Sequence, residues 1–169
     1  MNKPAASFII RPAQPGDVAA IVPLVKASWA RTYDPAIGET ARRAISDAKH
    51  VPDLFLAEIE QPDKAAMVAL AGDSLIGHVG GYRLENGNFY VDHLHVDKAL
   101  HGQGVAAALM DGLRDHLTAE MSPPPTAIEL TVLKGNDRAL AFYAKHGFIE
   151  LGEAEGLADI PAIHLLWSI

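Results

Sequence analysis

The stretch VDHLHVDKALHGQGVAAALM, residues 91–110, decides the fold because it joins a strand pattern directly to a helix pattern. The strand pattern ends at Val96 and the helix begins near Gly102. One apolar face of that helix is formed at four-residue steps by Val105, Leu109, Leu113 and Leu117. Gly102 and Gly104 remove side chains where the chain enters the helix, so N–H groups of the first turn can converge on an anion. The stretch contains neither the P-loop motif nor the dinucleotide fingerprint, so tight packing alone also explains it.

Strand and helix patterns alternate on both sides of this segment. Upstream, a strand over residues 7–11 precedes a helix with the apolar positions Val18, Ile21, Val22, Val25 and Trp29, and residues 36–50 and 52–59 are compatible with helix. Strands over residues 66–71, 75–84 and 88–96, with turn dipeptides between them, predict an antiparallel meander. Downstream come a strand over 128–132, a helix over 136–146 closed by Gly147, and strands over 148–151 and 162–167. This order predicts an α/β fold.

The composition narrows the class of protein. A length of 169 residues without repeats or linkers predicts a single domain over residues 1–169. The chain has no Cys, which excludes disulfides, thiolate metal ligands and a cysteine nucleophile, and favours a cytoplasmic protein. The net charge of -7 argues against a broad nucleic-acid-binding surface. Apolar runs are too short for a membrane span, and Pro4 and Arg11 interrupt any signal-peptide core, so we expect neither membrane nor nucleic acid as a partner.

A second segment, NDRALAFYAKHGF at residues 136–148, resembles the pattern N-x-x-A-x-x-F-Y-x-K-x-G-F of the GCN5-related N-acetyltransferase (GNAT) family. Residues 101–106 are similar to that family's Q/R-x-x-G-x-G/A pattern, with His101 standing where the family prefers Gln or Arg. Residues 11–24 and 29–33 also look like the family, and the resemblance is loosest over residues 35–61. It implies an acyl-CoA N-acyltransferase fold: a mixed, mostly antiparallel sheet of about seven strands with helices on both faces.

The resemblance also implies where acetyl-coenzyme A binds. It would lie between the strands over residues 88–96 and 127–133, which splay apart. The implied contacts are main-chain groups of Leu94, His95 and Val96 with the pantetheine, and the turn residues His101, Gly102, Gln103, Gly104, Val105 and Ala106 with the pyrophosphate. Asn136 would contact the pantetheine arm, and an N-cap explains the same residue. Tyr143 lies two helical turns beyond Asn136 and would donate a proton to the departing thiolate; a place in the core is the alternative.

The attacking amine must lose a proton, and three side chains of the strand over residues 88–96 are candidates to accept it. Asp92, His93 and His95 flank the implied reaction centre, with His93 and His95 on one face and Asp92 on the other in a regular strand. The pair His93 and His95 lacks a third ligand, so we predict no metal. Acceptor selection would fall to residues 29–48 and 157–164.

Together these features predict an N-acetyltransferase that transfers acetyl directly from acetyl-CoA to a primary amine of a small molecule or peptide. Many members of the family form dimers, so the resemblance also implies that a homodimer is possible. Two alternatives stay open: a non-catalytic CoA-binding module of the same fold, which His101 permits, and an unrelated nucleotide-binding α/β fold.

Overall fold

The structure, a computed structural model, describes residues 7–169 as seven strands and five α-helices. The strands are β1 (Ile9–Pro12), β2 (Lys64–Ala71), β3 (Ser74–Arg83), β4 (Phe89–Val96), β5 (Ala127–Leu133), β6 (Ile149–Leu157) and β7 (Ile160–Ser168). The helices are α1 (Val18–Ile37), α2 (Glu39–Lys49), α3 (Pro52–Glu60), α4 (Val105–Glu120) and α5 (Asp137–His146). Residues 1–6, part of the N-terminal stretch in which the sequence predicts no signal-peptide core, lie outside the described residues.

The predicted elements occur in the predicted order, with shifted boundaries. Helix α1 continues to Ile37 and the predicted helix over residues 36–50 is divided at Gly38. Helix α4 begins at Val105 instead of Gly102, because both glycines of the turn have positive φ. Strand β6 extends to Leu157, whereas the prediction ended it at residue 151. It is an edge strand with mostly exposed side chains, so its sequence lacks the apolar alternation by which a strand is predicted.

All seven strands form one sheet in the order β1-β2-β3-β4-β5-β7-β6. Every neighbouring pair is antiparallel except β4 and β5, which are parallel. The expected mixed, mostly antiparallel sheet of about seven strands is therefore confirmed.

Helices cover both faces of the sheet, and β2 shows how the sequence arranges this. Its alternate residues Ala65, Met67 and Ala69 pack with α4, whereas Ala66 and Val68 pack with α1 and α3. Strand β2 is therefore apolar on both sides, as expected for a strand covered on both faces. No helix within residues 7–169 combines the length and apolar character needed to cross a membrane.

The parallel strands β4 and β5 stay paired over only two residues each. Phe89 pairs with Ile128 and Tyr90 with Glu129, and beyond these pairs the strands separate. At the paired end, the buried carboxylate of Glu129 accepts hydrogen bonds from Asn86 and Asn88 at 3.0 and 2.6 Å, and its other oxygen lies 2.7 Å from His164 Nε2. Burial opposes ionisation of Glu129, but these hydrogen bonds outweigh it and hold its pKa below the usual value.

A β-bulge interrupts the pairing of β3 with β4. Gly80 pairs with His93 and Gly81 with Val91, so Asp92 is the extra residue. The bulge reverses the alternation of side chains: Val91 packs in the α4 core, whereas His93 contacts Phe55 on the opposite face. His93 and His95 share a face as predicted. The prediction that Asp92 lies on the other face is wrong, because the irregular strand leaves an Asp92 oxygen 3.4 Å from His93 Nε2.

Substitution of Gly81 by Ala tests the bulge. A Cβ at Gly81 would overlap the carbonyl oxygen of Tyr90, which is backbone and cannot rotate away. We expect Gly81→Ala to lower the free energy of unfolding by about 1–3 kcal/mol in urea denaturation. Gly16→Ala is the control, because a Cβ added there would meet no atom within 4 Å and we expect no loss of stability. Equal stability of the two variants would contradict this account.

Candidate active site

A cavity of about 770 Å³ occupies the gap where β4 and β5 separate. The predicted site residues in its wall are Asp92, Leu94, His95, Val96, His101, Gly102, Gly104, Val105, Ala106, Asn136 and Tyr143. Of the predicted residues, His93 and Gln103 do not line this cavity. Two widely separated sequence segments, residues 91–110 and 136–148, therefore meet around one space.

The main chain of β4 is divided between the sheet and the gap. In an antiparallel pair, alternate residues direct both N–H and C=O towards the partner strand. The Asp97 N–H donates to the Ile76 carbonyl oxygen at 2.8 Å, and the register assigns His95 to the same side as Asp97. The main-chain groups of Leu94 and Val96 therefore face the gap. Because the β3 ladder engages His95, we narrow the predicted pantetheine contacts to Leu94 and Val96.

The turn before α4 and the first turn of that helix line the cavity. Gly102 and Gly104 have φ of +76° and +84°, a conformation that other residues adopt at a cost. The first i to i−4 bond runs from the Ala108 N–H to the Gly104 carbonyl oxygen, so the preceding amides of the first turn are left for an anion. The His101 Nε2 donates to the Val96 carbonyl oxygen at 3.0 Å. The residue that departs from the family pattern thus ties the turn to the end of β4.

Helix α5 supplies Asn136 and Tyr143 to the opposite wall. The Asn136 side-chain oxygen accepts a hydrogen bond from the Ala139 N–H at 3.3 Å, so Asn136 is the N-cap. The Tyr143 ring packs against Phe142 and Phe148, and its hydroxyl has no hydrogen-bond partner among residues 7–169. Burial, with the nearby Tyr33 and Tyr90, raises the pKa of Tyr143 above its usual value. The phenol therefore stays protonated and available as a donor.

Asp92 forms the polar part of the wall on the other side of the gap. Its carboxylate lies 3.8 Å from Lys49 Nζ, and that ammonium group also lies 5.5 Å from the centre of the Trp29 ring. Burial and the charge of Asp92 both raise the pKa of Tyr33. The sequence places Trp29 and Tyr33 in the stretch 29–33 that resembles the family and in the segment 29–48 predicted to select the acceptor; Lys49 falls just outside that segment. A carboxylate beside aromatic rings already holds one ammonium group here.

Comparison with known proteins identifies the family. The profile of the acetyltransferase (GNAT) family matches residues 27–148. The chain belongs to the GNAT acetyltransferase family. The expectation of an acetyl-CoA-dependent acyltransferase is thereby confirmed. No curated protein sequence matches this GNAT chain.

Solved structures share the fold of this GNAT chain over nearly its whole length. A PaiA N-acetyltransferase from Thermoplasma acidophilum in complex with coenzyme A has a TM-score of 0.82 at 18% identity, covering 96% of this chain and 99% of its own. A GCN5-related N-acetyltransferase from Rhodopseudomonas palustris has a TM-score of 0.76 at 17% identity, with both chains fully covered. A chimera of the spermidine N-acetyltransferase SpeG from Vibrio cholerae with hSSAT has a TM-score of 0.70 at 18% identity and 95% coverage of each chain. At these identities the likeness shows the fold alone.

Behind Asp92, on the α1–α3 side of the sheet, this GNAT chain buries His50, His78 and His93, next to the half-buried His95. The ring centre of His93 lies 5.7 Å from that of His50, 5.9 Å from that of His78 and 6.0 Å from that of His95. Ser46 Oγ lies 2.6 Å from His50 Nδ1, and Ser28 Oγ lies 2.8 Å from His95 Nδ1. Among residues 7–169, no group of three or more His, Asp or Glu side chains is arranged to hold a metal ion.

Burial keeps these histidines neutral. It lowers the pKa of His50 to about 4 and that of His78 to about 3, and it lowers those of His93 and His95 as well. The sequence singles out His93 and His95 but offers no signal for His50 and His78, because a lone histidine in an apolar stretch is compatible with many environments.

The buried histidines predict loss of stability in acid. The unfolded chain binds a proton at each histidine below about pH 6.5, whereas the folded chain resists doing so until its lower pKa is reached. Stability is therefore lost as the pH falls from about 6.5, and for His50 alone the loss between about pH 7 and pH 5 is roughly 2 kcal/mol. Urea unfolding at the two pH values measures the effect. Glu58 on α3, whose pKa burial raises to about 7, takes up a proton on folding and offsets the loss from about one histidine, so a net loss is still expected. Equal free energies of unfolding at the two pH values would contradict this account.

Proposed function

We propose that this chain is an N-acetyltransferase of one domain over residues 1–169 that transfers acetyl directly from acetyl-CoA to a primary amine. The observation that carries the proposal is the cavity between β4 and β5, which has the Gly104 turn at one end and Asp92 and Tyr143 in its walls. Because the chain has no Cys, no cysteine acyl-enzyme can form. Direct attack of the amine on the thioester is the simplest route.

Backbone groups would hold the co-substrate. Leu94 offers its N–H and C=O groups and Val96 its N–H group to the pantetheine, as a neighbouring strand would receive them, and the first-turn amides of α4 offer donors to the pyrophosphate. Bound acetyl-CoA supplies the activated acyl group as a thioester. An acidic chain can bind this anion because the amides and the positive end of the helix dipole act locally.

Two groups on opposite walls would handle the proton transfers. Asp92 accepts the proton of the acceptor amine, directly or through a water molecule, and passes it to His93, whose Nε2 lies 3.4 Å away. Tyr143 donates a hydrogen bond to the leaving thiolate. Its raised pKa supports stabilisation of the thiolate by that bond, with full proton transfer completed only as the product leaves.

The acceptor we propose is a cationic primary amine. Lys49 is itself a primary ammonium group held by Asp92 and the Trp29 ring, and an acceptor of the same chemistry can take that place. A neighbour named as a spermidine N-acetyltransferase shares the fold, so a polyamine belongs among the acceptors to be tested.

An acceptor panel tests this function. Purified protein is given acetyl-CoA with a polyamine, a monoamine, an amino sugar, a peptide N-terminus or an uncharged aromatic amine, and thiol release is followed. We expect amine-dependent release that is fastest with a cationic alkylamine. Asp92→Asn should raise KM for that amine about tenfold by removing its charged partner, and should also lower kcat because the first proton acceptor is lost. Tight CoA binding with no release for any amine would establish the non-catalytic module instead. Affinity for ATP or NAD but not for CoA would indicate an unrelated nucleotide-binding protein.

Replacement of Tyr143 by Phe tests the donor. The variant keeps the ring packing and loses the hydroxyl, so we expect kcat to fall about tenfold to a hundredfold while the Kd for CoA changes less than about twofold. Tyr82→Phe is the matched control, because Tyr82 is exposed and does not line the cavity. Unchanged turnover in Tyr143→Phe would remove this residue from the mechanism.

A further inference from the structure

The roles above leave one buried acid unexplained. Glu58, on α3, is 7% exposed, and its Oε1 lies 2.9 Å from the Nε2 of the fully buried His78. A buried carboxyl group is costly unless a partner compensates it, so its place under the sheet requires a reason. His78 Nδ1 and His93 Nδ1 have no hydrogen-bond partner among the described residues. Glu58 and His78 thus form a buried, hydrogen-bonded pair beside His93.

Gly80 brings this pair against the strand that carries His93. A Cβ at Gly80 would overlap the carboxyl group of Glu58, so the carboxyl lies directly on the β3 backbone. Gly80 is paired with His93 across β3 and β4, where paired Cα atoms lie about 5.5 Å apart. The His78 and His93 ring centres are 5.9 Å apart. Glu58 therefore faces His93 from the side opposite the cavity.

We propose that Glu58 is a positioning residue whose carboxylate, held by His78, stabilises the imidazolium that His93 forms on accepting the acceptor's proton through Asp92. This inference rests on the proposed function and adds to it a residue that does not touch the substrate. His93 then lies between two carboxylates, Asp92 at the cavity wall and Glu58 in the interior.

The charges around the two groups support this role. Burial lowers the pKa of His93, whereas Glu58 and Asp92 raise it. Burial raises the pKa of Glu58 to about 7. The titratable groups facing Glu58 are His78 on β3, Asp92 and His93 on β4 and Lys64 on β2. Those facing His93 are Glu58 on α3, His78 on β3, Asp92 and His95 on β4, Lys49 on α2 and His50 after α2.

The proton and electron pairs balance without a further reactant. The bound ammonium first passes one proton through Asp92 to His93 Nε2, and the lone pair that this leaves on nitrogen forms the new C–N bond. The nitrogen then releases its second proton to solvent, and the C–S bond breaks with its electrons on sulfur. Tyr143 stabilises the thiolate by a hydrogen bond. His93 then returns its proton through Asp92 to solvent or to the thiolate. Because Glu58 ionises near pH 7, it offers His93 a negative charge only above that pH.

Glu58→Gln tests the proposal, since it keeps the size of the side chain and removes its charge. In the wild type, kcat/KM for the best amine should rise through a step near pH 7. In Glu58→Gln we expect that step to be absent and the high-pH value to be about threefold to tenfold lower, with CoA affinity unchanged. Glu60→Gln is the matched control, the same change on an exposed residue of the same helix, and should retain the step. Glu58→Asp should restore it in part.

A titration that needs no activity accompanies the kinetics. In wild-type protein with labelled histidine rings, the His93 resonances should show an inflection near pH 7 from Glu58 besides that from its own protonation, and Glu58→Gln should abolish it. An unchanged His93 titration and an unchanged pH step in Glu58→Gln would overturn the proposal. If no amine releases thiol, the acetyl-transfer function fails, and the ring titration then decides the Glu58–His93 interaction by itself.

Discussion

The short pairing between β4 and β5 is the constraint on which the site depends. If β4 and β5 stayed paired along their length, their facing main-chain N–H and C=O groups would hydrogen-bond to each other, and none would be left to bind a ligand. Here they share only two residue pairs, so the groups of Leu94 and Val96 are left facing a gap. Glu129, with Asn86, Asn88 and His164, fastens the closed end of that gap. At the closed end, this hydrogen-bonded network fixes the register of the two strands beside the apolar packing of Phe89 and Ile128.

The bulge at Asp92 converts this gap into a site with chemistry on one side. If β4 kept Asp92 and paired regularly, His93 and His95 would share the face of Phe89 and Val91 and point into the α4 core. The bulge turns both histidines to the α1–α3 side and leaves Asp92 at the cavity wall. Its cost is the close approach of Tyr90 to β3, which only a glycine at position 81 tolerates. One irregularity therefore sets both the acid at the cavity and the histidines behind it.

The sequence predicts those parts of the fold that are set by local signals, namely apolar periodicity, turn glycines and helix caps. The apolar face of α4, the glycine turn before it, and the Asn136 cap and Gly147 end of α5 are local signals, and each is where the pattern indicates. The face of Asp92 could not be predicted, because a bulge reverses side-chain alternation without any pattern of its own beyond two glycines on the partner strand. Glu58, His78 and His50 were missed for a related reason: they are widely separated in sequence, and burial, which makes them unusual, exists only after the sheet has formed. Lys49 was missed because its contact with Asp92 depends on how α2 packs against α1, which brings the end of α2 within side-chain reach of β4.

The buried histidines oppose stability in acid, and their position argues that function accounts for their presence. Apolar residues of similar size would fill the space beneath α3 without leaving ring nitrogens unpartnered. Neutral imidazoles do offer proton acceptors inside a low-dielectric layer, and a proton arriving there is stabilised strongly by any carboxylate nearby. If Asp92 were the only carboxylate near His93, it would have to balance the protonated His93 ring and the ammonium group of the acceptor at the same time. Glu58 balances the positive charge of His93 from the interior. Asp92 can therefore hold an ammonium group at the cavity wall while His93 takes up the proton behind it.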